Sequence, residues 1–474
     1  MKKFSILMFA FMLSAGLVVA QSNNSNVESV GNGNNATVTQ TGDNLNDSDV
    51  KQTGNTNTAI ATQLGFTNSN AQTQTGDNNG ALVNQEGGFN YSTETQNGNG
   101  NTAVAGQLGI ANGNNVNQDG NGNSSLVGQA GENNYSDIYQ EGDANASAVG
   151  QIGDGNSSYV SQFGNENISA TGQIGDNNNS GTYQDGDRNA SIVGQDGDDN
   201  YSGVSQEGDD NVVFYIGQAG DRNDAYVDQY GDRNFANSNQ TGDDNDAYSY
   251  QDGDDNSSDL VQTGDRNYTS GYQIGNNNDN TVDQTGDDND AYSSQYGDDN
   301  SSIVGQEGNE NYSSTYQDGI ENNSSIDQEG NLNDATVNQI GNNNNSVGGN
   351  VWWGVDQYGD NNTATVNQEG DRNNSKVSQG DDNSNSAPAG AVPANWNVAT
   401  VTQTGEDNAS VVRQWSDQNT ATVTQTGDDN YSKVRQSGGI MNTATVEQNN
   451  DRNNSNVRQI GANNTATVTQ TQQQ

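Results

Sequence analysis

From about residue 30 onward the chain alternates two kinds of position, and the alternation keeps its phase over hundreds of residues. Glutamine marks that phase. Gln52, Gln63, Gln74 and Gln85 open a series with a step of eleven that reaches Gln206, resumes one residue late at Gln218 and continues to Gln339. Allowing insertions at Gln40, Gln357, Gln403 and Gln448, the series extends to Gln470 and comprises 38 units. Six residues before the glutamine stands asparagine in 36 of the 38 units. Four before it stands alanine or serine (Ala103, Ser125, Ala225), and two before it a β-branched or apolar residue (Val127, Ile138, Val149). These four sites share one parity, so in an extended strand they point to the same face. The alternate sites carry Asp, Tyr, Ser, Thr, Asn and Arg, which suits a solvated face. Gly-x-x stretches between them supply the backbone freedom of a tight turn. Each unit is predicted to be one short strand and one turn.

A longer period hides in the variable sites. Gly106, Gly128, Gly150, Gly172 and Gly194 precede their glutamines every 22 residues, whereas the intervening units carry Asn117, Tyr139, Ser161, Tyr183 and Ser205. Two units therefore make one rung. The predicted fold is all-β: a parallel β-solenoid of about 19 two-strand, 22-residue rungs, able to stack as a cross-β, amyloid-like fibre. At a strand spacing of about 4.8 Å such a stack is roughly 90 Å long. Its interior ladder is expected to include Gln140, Gln151, Gln162 and Gln173, with Asn134, Asn145, Asn156 and Asn167, while Gly142, Gly153 and Gly164 turn the chain. Like amides stacked on like amides can satisfy a polar interior.

Composition alone points elsewhere. A chain with 28% hydrophobic residues, 59 glycines and a net charge of −48 has the profile of a disordered segment. Disorder gives no reason to hold a residue type at fixed phase, so the period outweighs the composition. The first 20 residues differ: a basic Met1-Lys2-Lys3, an apolar run from Phe4 to Val19 and a small residue at Ala20 are expected to form a cleaved signal peptide. The organisation expected beyond it is a leader at 21–35, a candidate for recognition by a secretion apparatus, and a repeat array at 36–339. There follow an insertion at 340–356 carrying Trp352 and Trp353, repeats at 357–379, a loop at 380–398 carrying Pro388 and Pro393, repeats at 399–470 and a polar tail at 471–474.

Charge and composition also limit the chemistry. Without Lys2 and Lys3, 12 basic residues face 62 acidic ones, which argues against nucleic acid and against membrane insertion or anionic lipid. There is no histidine and no cysteine, so imidazole bases, thiol nucleophiles, disulfides and metal sites built on thiolate or imidazole are excluded. The carboxylates recur in equivalent turns with no distinguished pair, and the reading is not an enzyme, with no cofactor. Weak association of calcium is the one inorganic expectation, at Asp243, Asp244, Asp254, Asp255, Asp298 and Asp299. Arginine follows aspartate at Arg188, Arg222, Arg233, Arg266, Arg372 and Arg452, where it is expected to relieve repulsion between stacked acids. Two rival classes are a non-polymerising adhesin stalk and an ice-binding solenoid. Threonine rows such as Thr422-Thr424-Thr426 fit the second, but the middle of the chain breaks the plane.

Ser136, Gln140, Gly142, Asn145, Ser147 and Gln151 resemble the curlin repeat, S-x5-Q-x-G-x2-N-x-A-x3-Q, with Ser136 nearer its glutamine than the pattern asks and Ser147 in place of alanine. Gln425, Gly427, Asn430, Ser432 and Gln436 form another such unit. The resemblance implies a secreted subunit of curli-like fibres, extracellular on a Gram-negative cell and serving biofilm matrix and adhesion. By the same resemblance its partners are further copies of itself, a curli-type secretion pore and a nucleator subunit. Gln40, Gln52, Gln459 and Gln470, near the two ends of the array, are then the groups expected to template growth. This chain has many more repeats than typical members.

Overall fold

The computed structural model describes residues 23–42, 45–346, 354–380 and 393–471. Within them lie 39 strands, numbered in chain order from β1 (Asn24–Val30) to β39 (Thr465–Thr471), and no helix. Odd-numbered strands pair in parallel into one sheet and even-numbered strands into a second. Thus β11 (Tyr135–Glu141) lies between β9 (Gly113–Asp119) and β13 (Ser157–Phe163), with Gln118, Gln140 and Gln162 in direct register. Likewise β12 (Ala146–Ile152) lies between β10 (Ser124–Glu132) and β14 (Ile168–Ile174), with Gln129, Gln151 and Gln173 aligned. One rung is one odd and one even strand, so the fold is the parallel two-sheet solenoid that the 22-residue period predicts.

Strand after strand buries its second, fourth and sixth residues, the alanine/serine, valine and glutamine sites. The asparagine just ahead of each strand is buried as well: Asn134, Asn145, Asn156 and Asn167 are at most 1% exposed. Parity thus gives the facing, and valines such as Val127, Val149 and Val160 fill the space between the amide columns.

The turns hold two left-handed positions. Gly153 has φ 119°, and a Cβ there would lie 2.0 Å from the carbonyl oxygen of Gly175 one rung on. No side chain fits, because successive turns stack backbone on backbone. Two residues later the chain is left-handed again, as at Ala144 (φ 61°), Glu166 (φ 59°) and Arg188 (φ 59°), and here a side chain fits because it points outward. Glycine fills this second site only occasionally, as at Gly155. Elsewhere non-glycine residues bear the strain, among which Asn and Asp are the most tolerant.

The one-residue jump between Gln206 and Gln218 is a β-bulge in β18 (Val212–Ala219). Opposite Ile192 of β16 (Ala190–Asp196), β18 places both Phe214 and Tyr215 on the outside, and the inward column resumes at Ile216. The tyrosine ring lies against Gly217: a Cβ there would meet it at 2.2 Å.

Two element boundaries differ from expectation. The segment 21–35, expected to be a leader, contains β1, which pairs with β3 (Asp47–Thr53) and puts Ser29 in register with Gln52. It escaped the glutamine series because serine takes the glutamine site. The loop expected over 380–398 rejoins the stack early: Asn397 is buried in the asparagine column ahead of β33 (Val398–Thr404), and Pro393 is exposed. Trp352, Trp353, Pro388, the signal segment 1–20 and residues 472–474 lie outside the described residues.

Candidate functional site

The chemistry of this molecule is concentrated in its interior amides. Gln140 Nε2 donates axially to Gln162 Oε1 at 2.8 Å and transversely to the Ser124 carbonyl oxygen at the head of the facing strand, 3.2 Å away. Its own Oε1 accepts from Gln118 at 2.9 Å. Gln151, Gln162 and Gln173 repeat the arrangement, each donating at 2.8 Å to the glutamine one rung on. One amide therefore joins adjacent rungs and ties the two sheets together, which answers how a polar column can be buried at all.

The asparagines perform a different task. Asn134 Oδ1 accepts the Asn156 backbone N–H at 3.1 Å, and Asn134 Nδ2 donates to the Gly153 carbonyl oxygen at 2.7 Å. Asn145 and Asn167 bond in the same way to Gly164 and Gly186. Asparagine thus fastens the turn that its glycine makes possible.

The glutamine ladder has a direction. In each glutamine–glutamine bond the donor is the earlier residue, from Gln40 to Gln63 (2.8 Å) at one end to Gln448 to Gln470 (2.7 Å) at the other. Among the described residues, Gln52 Oε1 has no partner, since Ser29 stands above it. At the other end Gln459 Nε2 donates to the Thr443 and Asn464 carbonyls and Gln470 Nε2 to that of Asn454, and among the described residues neither donates to a further glutamine. One end presents amide acceptors and the other amide donors. Gln40, Gln52, Gln459 and Gln470 are thus distributed between two chemically different edges.

The calcium candidates are engaged in the turns. Asp243 and Asp254 Oδ1 accept the backbone N–H of Asp221 and Asp232, each at 2.9 Å, and Asp298 accepts that of Asn276 at 2.8 Å. Asp244 and Asp255 pair with Arg222 (2.7 Å) and Arg233 (2.8 Å). Asp299 occupies the outward left-handed site. Among the described residues no three acidic side chains gather closely enough to hold a metal ion. The turn arginines lie against carboxylates of a neighbouring rung, as in Arg188 to Asp210 (2.6 Å), Arg266 to Asp288 (2.7 Å) and Arg452 to Asp429 (3.6 Å). Hydrogen bonding to the guanidinium holds Asp210, Asp244, Asp255 and Asp288 below the ordinary carboxyl value.

Two features escaped the sequence. Glu94, on β7 (Tyr91–Asn97), stands in the valine column at 1% exposure, between Gln72 and Val116. Its Oε2 accepts from Gln72 Nε2 at 3.3 Å, and its Oε1 has no hydrogen-bond partner. Burial pushes its carboxyl well above the usual range, with the Gln72 hydrogen bond pulling weakly the other way. An acid two residues before Gln96 was the available signal. Second, of the 19 tyrosines only Tyr215, Tyr358 and Tyr431 lie off the odd-numbered strands. The odd sheet therefore carries ring ladders on its outer face. The longest runs Tyr230, Tyr250, Tyr272, Tyr296, Tyr316, with centroids 4.6 to 5.7 Å apart.

A two-sheet parallel solenoid held by interior amide ladders defines a repeat-built structural protein. The Curlin associated repeat matches at residues 131–164, 175–208, 197–231, 220–253, 231–264, 253–286, 275–308, 308–341 and 354–384, and the chain belongs to the curlin-repeat family. That family and this fold are structural rather than catalytic. No curated protein matches the chain.

Proposed function

We propose that this chain is a secreted structural subunit that self-assembles into extracellular curli-like amyloid fibres of biofilm matrix and adhesion. The observation that carries the reading is the direction of the ladder. Apart from β1, where Ser29 takes the glutamine site, every strand offers a glutamine N–H donor on one edge and a glutamine oxygen acceptor on the other, so a rung from a second copy can continue the even-sheet ladder from Gln459 to Gln40 with the same bond. Edge strands support it: β1 and β39 each have a single strand neighbour among the described residues, and all seven residues of β1 are exposed. Parallel edges of this kind pair with further strands unless they are covered. Association of curlin-repeat proteins with extracellular curli fibres agrees with this placement. In the same reading the chain leaves the cell through a curli-type pore, with a nucleator subunit starting the fibre and without nucleic acid or membrane insertion.

The test is incubation of the purified chain lacking residues 1–20. Thioflavin-positive fibres with a cross-β diffraction pattern are expected. A folded species that stays monomeric would sink the proposal in favour of a solitary stalk.

A further inference from the structure

In a chain of net charge −48, one stretch of the even sheet has an uncharged outer face. The first seven residues of β8 (Thr102–Ile110), β10, β12 and β14 include no acidic or basic side chain, whereas the odd sheet alongside them presents Asp119, Asp137, Glu141 and Asp185. Down the middle of this face Gly106, Gly128, Gly150 and Gly172 stand in direct register, one to a rung. Two residues on in each strand come Leu108, Ala130, Ile152 and Ile174, which form an aliphatic column beside the glycines. Leu108 is 53%, Ile152 57% and Ile174 50% exposed.

The backbone does not require these glycines. None has a positive φ, and a Cβ on Gly128 or Gly150 would meet nothing within 4 Å. Glycine weakens a strand interior, and it marks a place where another group approaches the sheet closely. Groove and ridge also change together. In β6 (Gly80–Gly88) the ridge site is Glu86 and the groove site is Asn84. In β16 the ridge site is Asp196, and the chain fills the groove itself: a Cβ on Gly194 would lie 2.6 Å from the Tyr215 hydroxyl. The groove is thus open where the ridge beside it is apolar, as a face that packs against its own copy requires.

We propose that this face is a dry lateral contact with the same face of a second copy lying parallel, the aliphatic column of each seated in the glycine groove of the other. The proposal rests on the polymer reading above. A two-fold axis along the stack sets Leu108, Ile152 and Ile174 of one copy over Gly106, Gly150 and Gly172 of the other, and the reverse, rung for rung. The pitch matches because one backbone ladder fixes both columns. Over four strands at about 4.8 Å, each about 20 Å long, the patch covers roughly 400 Å² per copy. An exposed apolar patch of that size marks a contact site. Two such patches together still fall short of the roughly 1,200 Å² of a stable interface. The contact therefore holds fibres, in which every molecule adds one patch at a fixed position, far better than free monomers. Being isologous it closes at two copies, so it pairs filaments and does not bundle them.

The test compares the chain lacking residues 1–20 with two variants by mass per unit length in dark-field electron microscopy. Gly106→Gln/Gly150→Gln fills the groove, and Ile152→Gln/Ile174→Gln removes the ridge. The two alter opposite partners of the contact, so either one that folds by circular dichroism tests it. Wild-type fibres are expected to carry twice the mass per length of the variant fibres, and to stay paired at about 1 M salt, where the screening length falls to about 3 Å. Tyr250→Gln, on the odd sheet, leaves the pairing unchanged. Variant fibres as heavy per length as wild type overturn the inference, as do wild-type pairs that separate in salt. Wild-type fibres that are single overturn it while the polymer reading stands, whether they stay bare or take up phosphatidylcholine vesicles. If no chain forms fibres, the polymer reading fails. The contact then has to show as a salt-resistant dimerisation of the folded monomer in sedimentation equilibrium, at least fivefold weaker in the variants, and its absence overturns the inference too.

Discussion

A single interior glutamine makes up to four hydrogen bonds, and its value lies in the donors. Gln284 Nε2 donates to the Tyr268 carbonyl (3.0 Å), the Asn289 carbonyl (3.1 Å) and Gln306 Oε1 (2.8 Å), while its Oε1 accepts from Gln262 (3.0 Å). Gln295 is held likewise between Gln273 and Gln317. A carboxylate there cannot donate and would bury a charge against carbonyl oxygens. Gln284→Glu and Gln295→Glu together are expected to cost about 3 kcal/mol or more in urea unfolding. Tyr292→Ala, which removes a ring between Tyr268 and Tyr312 on the outer face, is expected to cost about 1 kcal/mol. Equal losses would mean that the glutamine is not interior.

Glu94 supplies a natural case of the same physics. Because its folded pKa is raised, the folded chain holds this proton more tightly than the unfolded chain. Its contribution to stability is complete below the unfolded value of about 4.3 and is lost as the pH rises through the folded value. The Glu94→Gln variant lacks this dependence. Its advantage over wild type in denaturant midpoint is expected to be larger at pH 7 than at pH 4. A difference that does not change with pH would show that Glu94 is not buried.

At the scale of the element, the strand and turn were legible because the signals are local. Alternating parity specifies which face is buried, and glycine marks the turn position where a Cβ would collide with the backbone of the next turn. The second left-handed site was not legible, since Ala144, Glu166 and Arg188 do not announce a positive φ. Nor was β1, where Ser29 replaces the marker residue. The jump at Gln218 was visible as a number but not as a bulge: placing the extra residue required knowing that Val213 and Ile216 both face inward. Deleting Phe214 restores the eleven-residue step and removes only an exposed ring. It is expected to change stability by no more than about 1 kcal/mol, measured by thermal unfolding. A larger loss would mean that the Phe214 to Phe235 ring stack, at 6.1 Å, matters more than the register.

For the whole molecule, stability is close to a sum over rungs and the interfaces between them. Removing residues 142–163 deletes one complete rung and joins Glu141 to Gly164 with every interior column still in phase. Removing Val149 alone puts the rest of its strand out of parity with both neighbours. The 22-residue deletion is therefore expected to lower the unfolding temperature less than the one-residue deletion. The reverse order in calorimetry would contradict the rung as the structural unit.

The sequence by itself determined the rung, the buried columns and the array, because each depends on parity and period that a single strand already displays. The tertiary structure decided what arises only when rungs stack. Stacking turned interior glutamines into a ladder with direction, acceptors at one end and donors at the other. It gathered 16 of the 19 tyrosines onto one sheet, and it brought Arg413, Arg435 and Arg458 into one column, each in register with the next. In each case the physical reason is the same: residues one rung apart in the chain become neighbours in space, at a distance that only the backbone ladder fixes.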